Sequence, residues 1–269
     1  MHTSRPFVLL TNDDGVQAAG LLALFRAVSR SFDVQVLAPE HNWSASGHSK
    51  TMHKPLRATP ASLADGSPAL AISGSPADCV AVALLGLLPR RPDLVISGIN
   101  QGANVGQDLT YSGTVSAAME AVIGGVPGMA ISLDSYEWTD FDAAAALACS
   151  LAEQIVASDL ERPLLINVNV PARPMAEIKG VRITRQGRRI YHDELVERRD
   201  PRGRVYYWIG GDPPEGVPEA GTDIGALAEG YVSVTPIMLD LTDYAALPAL
   251  QGWKLDLSLA QAGAARSGI

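Results

Sequence analysis

A chain of 269 residues that is 47% hydrophobic and 19% charged can bury the core of one large domain or of two unequal ones, and is too apolar to be a disordered chain. Its formal net charge of −8 excludes non-specific binding of polymeric nucleic acid or of anionic membranes, so an anionic substrate would need positive charge supplied locally, by a metal ion, a helix N-terminus or a few Lys and Arg. Its two cysteines, Cys79 and Cys149, lie in Ala/Val/Leu-rich surroundings; they are too few for a cysteine zinc site and read as small buried hydrophobes in a reducing compartment.

Residues 1–6 are too short and polar for a signal peptide. Residues 7–11 (FVLLT) form a short apolar run that predicts a buried strand, ending at the turn Asn12-Asp13-Asp14-Gly15. Apolar residues then recur at helical spacing over 21–29. Residues 34–38 (VQVLA) predict a second strand, stopped by Pro39, and 40–54 a polar loop with three histidines. A short strand at 69–73, a buried helix at 76–88 and a strand at 94–97 follow. The last of these runs into a glycine-rich stretch, 98–113. A helix at 114–123, a strand at 128–133, a helix at 141–158 and a strand at 164–170 complete the series. The most apolar stretch, 115–133, carries Glu120, Gly124-Gly125 and Pro127, and falls short of the ~18 unbroken apolar residues of a membrane helix. These features together predict a soluble, cytoplasmic protein.

Near-continuously apolar strands alternating with helices predict an α/β fold, a Rossmann-like, mostly parallel sheet with helices on both faces. Near residue 181 the character changes. Residues 181–185, 205–209 and 231–237 read as strands without long helices between them, 182–204 is charge-dense, and Asp200-Pro201-Arg202-Gly203 is a turn signal. The expectation is a core over 1–180, a protruding antiparallel β-hairpin extension over 181–240 and a C-terminal segment over 241–269, frayed at 260–269. Tyr206, Tyr207 and Trp208 form an aromatic patch that suits a subunit interface better than a core.

Three segments carry candidate chemistry. Asp13 and Asp14 are adjacent carboxylates at the end of a strand; they repel unless a cation lies beside them, and their oxygens suit Mg²⁺ or Mn²⁺. Alone, the pair also reads as a solvated turn. In the loop after the second strand, Ser44 offers a hydroxyl ligand and His48 a proton or a phosphate contact, while the spacings of His41, His48 and His53 do not match a zinc helix motif. In the third segment, Asn100 offers a neutral carbonyl oxygen, and Ser112, Gly113 and Thr114 open a helix whose N–H and hydroxyl groups form an anion site. All three follow parallel strands and should meet at the carboxyl edge of the sheet, where metal ligands beside a phosphate cradle predict phosphoryl chemistry. Competing motifs fail on spacing. Gly47-His48-Ser49-Lys50-Thr51 is not a P-loop, Gly15 and Gly20 do not make a dinucleotide fingerprint, and no phosphoaspartate pair or serine-hydrolase elbow is present.

The blocks LLTNDDG (9–15), APEHNWSASGHS (38–49), SGSPADCV (73–80), SGINQGANVGQDLTYSGTVSAAMEA (97–121) and GTDIGALAEGYVSVTPI (221–237) resemble, in order, the SurE survival-protein family of 5′/3′-nucleotidases. The likeness runs over roughly residues 5–240. It departs at Ser46, where Thr is common, and at 41–43, where His-Asn-Trp replaces more usual charged residues. The resemblance implies one divalent metal ion per subunit, Mg²⁺ or Mn²⁺, held by Asp13, Asp14, Ser44 and Asn100. It also implies a hairpin used to form homodimers or homotetramers, and hydrolysis of nucleoside 5′- and 3′-monophosphates with some action on polyphosphate. The resulting expectation is a phosphomonoesterase acting on a small-molecule nucleotide, with Asp13, Asp14 and His48 as catalytic groups, Asp14 the base and His48 the acid, and Asn104, Ser112, Gly113 and Thr114 around the phosphate. Two other readings share the motifs. A non-catalytic nucleotide or phosphate sensor would bind without releasing phosphate, and a sugar-nucleotide transferase would release nucleoside diphosphate.

Overall fold

The computed structural model describes residues 5–253; the tail expected to fray, 260–269, lies outside them. The chain divides into two compact units, Met1–Ile237 and Met238–Ile269.

In the larger unit, β1 (Phe7–Thr11), β2 (Asp33–Pro39), β3 (Ala58–Ser62), β4 (Pro68–Ile72), β5 (Leu94–Gln101), β6 (Gly128–Asp134), β7 (Leu165–Pro171), β8 (Val181–Ile183) and β11 (Val232–Pro236) form one nine-stranded sheet. Its order is β3-β4-β2-β1-β5-β6-β7-β11-β8. The run from β4 to β7 is parallel throughout, and β3 and β11 join it antiparallel. The helices α1 (Ala19–Val28), α2 (Pro76–Val82), α3 (Gly113–Ile123) and α4 (Asp142–Ala157) cover its faces, and α5 (Asp223–Ala228) precedes β11.

The two-residue period of β1 decides which side each helix takes. Val8 and Leu10 are packed with Leu21, Leu24 and Val28 of α1 and with Ala144, Ala148 and Ala152 of α4. Phe7 and Leu9 point the other way, into a cluster with Cys79 and Val80 of α2 and Ala117 and Ala121 of α3. Burying each such leucine stabilises the fold by ~1.5–3 kcal/mol, so one short strand fixes two layers at once. The helices approach closely where their inner faces are small, at the alanines of α3 and α4 and at Gly20 of α1. A Cβ on Gly20 would lie 2.1 Å from the carbonyl oxygen of Ile99, so α1 sits directly on the end of β5.

The structure departs from the sequence expectation in four places. The helix expected over 76–88 is α-helical only as far as Val82, and Ala83–Leu87 forms a π-helical turn that contains Gly86 at φ 122°. β3 (ATPAS) was not foreseen, because it is small, polar and carries Pro60, which only an edge strand tolerates. β8 and β11 belong to the main sheet, not to an antiparallel extension, since β11 pairs with β7 from Ser233↔Asn169 to Pro236↔Ile166. The hairpin itself is longer than its apolar residues suggested. β9 (Arg188–Arg199) and β10 (Val205–Val217) form a separate two-stranded sheet, and the Pro213-Pro214 pair falls where the register shifts between Asp212 and Glu215. The predicted turn closes it, with the Asp200 carboxylate accepting the N–H groups of Arg202 and Arg204 at 2.8 and 2.9 Å. Leu195, Trp208 and Ile209 on this hairpin are 71, 63 and 83% exposed.

In the smaller unit the described residues form one short helix, α6 (Leu247–Gln251). Among the described residues no helix is long and apolar enough to cross a membrane.

Candidate active site

The site is built at the carboxyl edge of the sheet. Beyond β1 the chain turns through Asn12-Asp13-Asp14-Gly15. Asn12 is spent on the turn itself: its Nδ2 donates to the Gly15 carbonyl at 2.9 Å, and its Oδ1 accepts the Gly15 N–H at 3.2 Å. Gly15 has φ +100°, open to glycine at no steric cost. This fixes Asp13, which is only 3% exposed, against the first turn of α3. The Thr114 N–H donates to Asp13 Oδ2 at 3.1 Å and the Thr114 hydroxyl to Oδ1. A carboxylate at a helix N-terminus is favoured by the unpaired N–H groups and by the helix dipole. Thr114 is therefore engaged by Asp13. At the same helix end Ser112 is the N-cap, accepting the Val115 N–H at 3.1 Å.

β5 delivers Asn100. Between Ser97 and Asn100 it carries one residue more than β6, where Ala130 and Ser132 are the partners, and this bulge re-aims the strand end. The Asn100 amide nitrogen donates to the Gly102 carbonyl at 2.7 Å. A carbonyl accepts only from the NH₂ end, which turns Asn100 Oδ1 away from Gly102, and among the described residues that oxygen has no hydrogen-bond partner. Asp13, Ser44, Asn100, Asn104 and Ser112 line one cleft of about 330 Å³, together with Ala45, Gln101, Asp108, Tyr111 and Tyr136. A larger groove of about 760 Å³ between α1 and α4 carries none of the candidate residues.

Asp14 does not line the cleft itself but lies beside Asp13 and Gln101, which do. Its carboxylate accepts the side-chain amide of Asn42 at 3.2 Å and lies near the backbone N–H of Gln101. Burial, and then the charge of Asp13, push its carboxyl up to about 6 from 3.8. Burial likewise raises Asp13. Among the described residues no three His, Cys, Asp or Glu side chains converge on a metal position. The available donors are two repelling carboxylates, a hydroxyl and an amide oxygen, a hard all-oxygen set of the kind that suits Mg²⁺ or Mn²⁺.

A pH effect follows. An acid raised in the folded state takes its proton there first, so its destabilising effect at neutral pH is relieved as the pH falls through about 6 toward 3.8. Asp13 and Asp134 are shifted in the same direction. Glu120, held below 4.5, opposes them only at lower pH. The metal-free protein should thus melt at a higher temperature at about pH 5 than at about pH 7 in EDTA. A lower melting temperature at the acid value would contradict this electrostatic picture.

Asn104 sits in a buried amide network. Its N–H donates to Asn169 Oδ1 at 2.8 Å and its Nδ2 to Ser132 Oγ at 2.9 Å, and its carbonyl accepts from Asn167 and Asn169 at 2.8 and 3.0 Å. Asn167 and Asn169 lie two apart on β7, on one face, in an otherwise apolar strand. That polar pair in LLINVNV was a readable signal that sequence analysis passed over.

His48 is not brought to the cleft. Its Nε2 lies 3.1 Å from Glu120 Oε2, and Lys50 Nζ donates to Glu120 Oε1 at 2.6 Å. Glu120 is seven residues into α3, about 10 Å from the helix end that holds Asp13. Burial alone would raise the Glu120 carboxyl, but the hydrogen bonds from His48 and Lys50 outweigh it and hold it below its ordinary value. Glu120 thereby anchors the loop that presents Ser44. Glu120→Ala removes two charge-assisted hydrogen bonds and should lower stability by ~1–3 kcal/mol in urea unfolding. An unchanged midpoint would show that the loop is held by something else.

Asp223 is a further residue that holds the site together and that its sequence position did not single out. It is fully buried and accepts from the N–H groups of Gly106 at 3.0 Å, Gly187 at 2.7 Å and Ile224 at 2.7 Å. Its signal was Thr222-Asp223 ahead of an apolar run, a capping pattern. Arg189 and Tyr191 of the hairpin add an ion pair and a hydrogen bond to Asp108, at 2.8 and 2.6 Å.

Comparison with known proteins matches residues 8–193 to the family described as Survival protein SurE. The 5′-nucleotidase SurE of Chloroflexus aggregans is 52% identical over 251 residues, covering 92% of this chain and 99% of that protein. The 5′-nucleotidase SurE of Herpetosiphon aurantiacus is 52% identical over 238 residues, covering 88% and 93%. The crystal structure of the SurE protein from Aquifex aeolicus superimposes with a TM-score of 0.79 at 39% identity, covering 91% of this chain and 98% of that one.

Proposed function

The chain belongs to the SurE family, and we infer from that membership that it is a 5′-nucleotidase. It adds water across the phosphate ester of a nucleoside 5′-monophosphate, releasing nucleoside and inorganic phosphate. The observation that carries the chemistry is Asp13: a buried carboxylate seated on the N-terminus of α3, in one cleft with Ser44 and Asn100.

The finer assignment is our proposal. One Mg²⁺ or Mn²⁺ per subunit would be held by Asp13, Asp14, Ser44 and Asn100, an assignment supported by the all-oxygen donor set and by Asn100 Oδ1, which has no hydrogen-bond partner among the described residues. When bound, such an ion supplies positive charge for phosphoryl chemistry in an acidic protein. Thr114 fixes the Asp13 carboxylate. The free N–H of Gly113 and the Ser112 hydroxyl bind phosphate oxygens at the helix end. The Asn104 network keeps the facing loop in place. Asp14 takes up a proton from the attacking water, and the nucleoside oxygen leaves protonated from solvent, since His48 is committed to Glu120. By the same family likeness we propose action on 3′-monophosphates and on short polyphosphate as well. The exposed apolar residues of β9 and β10 support a homodimer or homotetramer built through the hairpin. Both cysteines are free, which supports a cytoplasmic setting.

Product analysis tests the reaction class. Incubation with 5′-AMP should yield adenosine and phosphate in equal amounts. Nucleotide that is bound but recovered intact would leave only a sensor.

A further inference from the structure

Two tyrosines on the cleft wall have no part in the mechanism above. Tyr111 is 62% exposed and Tyr136 is 81% exposed, and both line the same cleft as Asp13 and Asn100. Tyr191 and Tyr244 give their hydroxyls to Asp108 and Asp240, but among the described residues neither the Tyr111 nor the Tyr136 hydroxyl has a partner in the chain. Ligand sites are concave and lined largely by hydrophobic and aromatic side chains, and two exposed rings on one cleft fit that pattern.

Their placement is built into the backbone. Gly102 has φ +110°, and a Cβ there would come within 2.5 Å of Tyr136 Cε1 and 2.7 Å of Cζ. The Tyr136 ring therefore rests on the bare backbone of Gly102. The carbonyl of that same glycine holds the Asn100 amide at 2.7 Å. One residue thus spaces the ring from a candidate metal ligand. Tyr111, lining the same cleft, directly precedes Ser112, the cap of the helix end proposed to bind phosphate. A ligand with its phosphate at Ser112 and Gly113 has an aromatic wall within reach of its other end.

We propose that Tyr136, with Tyr111 as the second wall, is the nucleobase platform of this cleft and sets its preference for nucleotides over base-free sugar phosphates. This rests on the nucleotidase reading and deepens it. A ring face stacks on any base, so the platform gives affinity with little discrimination among bases. Tyrosine suits the task because its large flat surface has few rotatable bonds to immobilise. The cleft volume of about 330 Å³ lies at the small end of ligand sites, as a mononucleotide requires.

The test compares 5′-AMP with ribose 5-phosphate, which has the same ester and no base. In Tyr136→Ala the ratio of kcat/KM for the two substrates should fall about tenfold, mainly through KM for 5′-AMP. Tyr136→Phe, which keeps the ring, should hold the ratio within about twofold of the parent. A ratio unchanged in Tyr136→Ala, with both substrates affected alike, would overturn the platform. Calorimetric binding of adenosine gives a readout independent of turnover, and its Kd should rise about tenfold in Tyr136→Ala; an unchanged Kd would also overturn the platform. Failure of the nucleotidase reading itself would look different, as a parent protein that releases no phosphate from either compound.

Discussion

Asp13→Asn should lower kcat/KM for 5′-AMP by at least ~10³-fold, equivalent to about 4 kcal/mol of lost transition-state stabilisation, while the protein stays folded. Asparagine has the shape of aspartate, and its Oδ1 can still accept the Thr114 N–H that Asp13 accepts at 3.1 Å. What disappears is the negative charge among the oxygen donors of the cleft. Asp13 is 3% exposed and its charge raises Asp14, so the metal-free variant should be at least as stable as the parent. Asp14 should also titrate closer to its ordinary value. Phosphate release and thermal melting measured side by side check both halves. Activity that survives with metal still bound would remove Asp13 from the centre of the account.

Gly113→Ala should cost roughly 100-fold in activity, although alanine is the better helix former by about 1 kcal/mol. No left-handed backbone is required at Gly113, so space alone decides the outcome. The new methyl would lie 2.8 Å from Asp13 Cβ, 2.9 Å from Asp13 Oδ2 and 3.2 Å from Pro76 Cγ. The first of these atoms is next to the backbone of a buried turn and cannot swing away. Either Asp13 or the start of α3 must shift, and both hold the reacting geometry. Crowding of this kind costs ~1–3 kcal/mol in stability, so melting and kcat/KM should fall together. A variant with parental activity would mean that the two groups are not held in register.

The sequence made the sheet legible because β1, β2, β5, β6 and β7 are mostly apolar and buried, Asp33 and Gln35 of β2 and the Asn167 and Asn169 pair of β7 apart, a pattern that belongs to parallel strands covered by helices. It also showed which loops meet, because each follows such a strand. It did not show how polar groups are shared. Thr114 reads as a phosphate contact from its place at a helix start, yet both its donors go to Asp13, 101 residues away in the chain. His48 reads as an acid from its loop, yet its partner is Glu120, 72 residues on. Such pairings depend on tertiary distance and leave no local periodicity. β9 was hidden for a different reason: its Arg- and Glu-rich sequence has no buried face to impose an apolar alternation. β8 and β11 were assigned to the wrong sheet because short strands without intervening helices look alike whether they close a sheet or extend from it.

The central claim is that the cleft formed by Asp13, Ser44, Asn100 and the start of α3 hydrolyses nucleotides with a divalent ion. Phosphate release from 5′-AMP, 5′-GMP and 3′-AMP in EDTA, and then with Mg²⁺ or Mn²⁺ restored, tests it most directly. The account predicts release from the 5′-monophosphates that EDTA abolishes and either ion restores. Release that persists in EDTA, or saturable nucleotide binding with no release in the presence of metal, would contradict it.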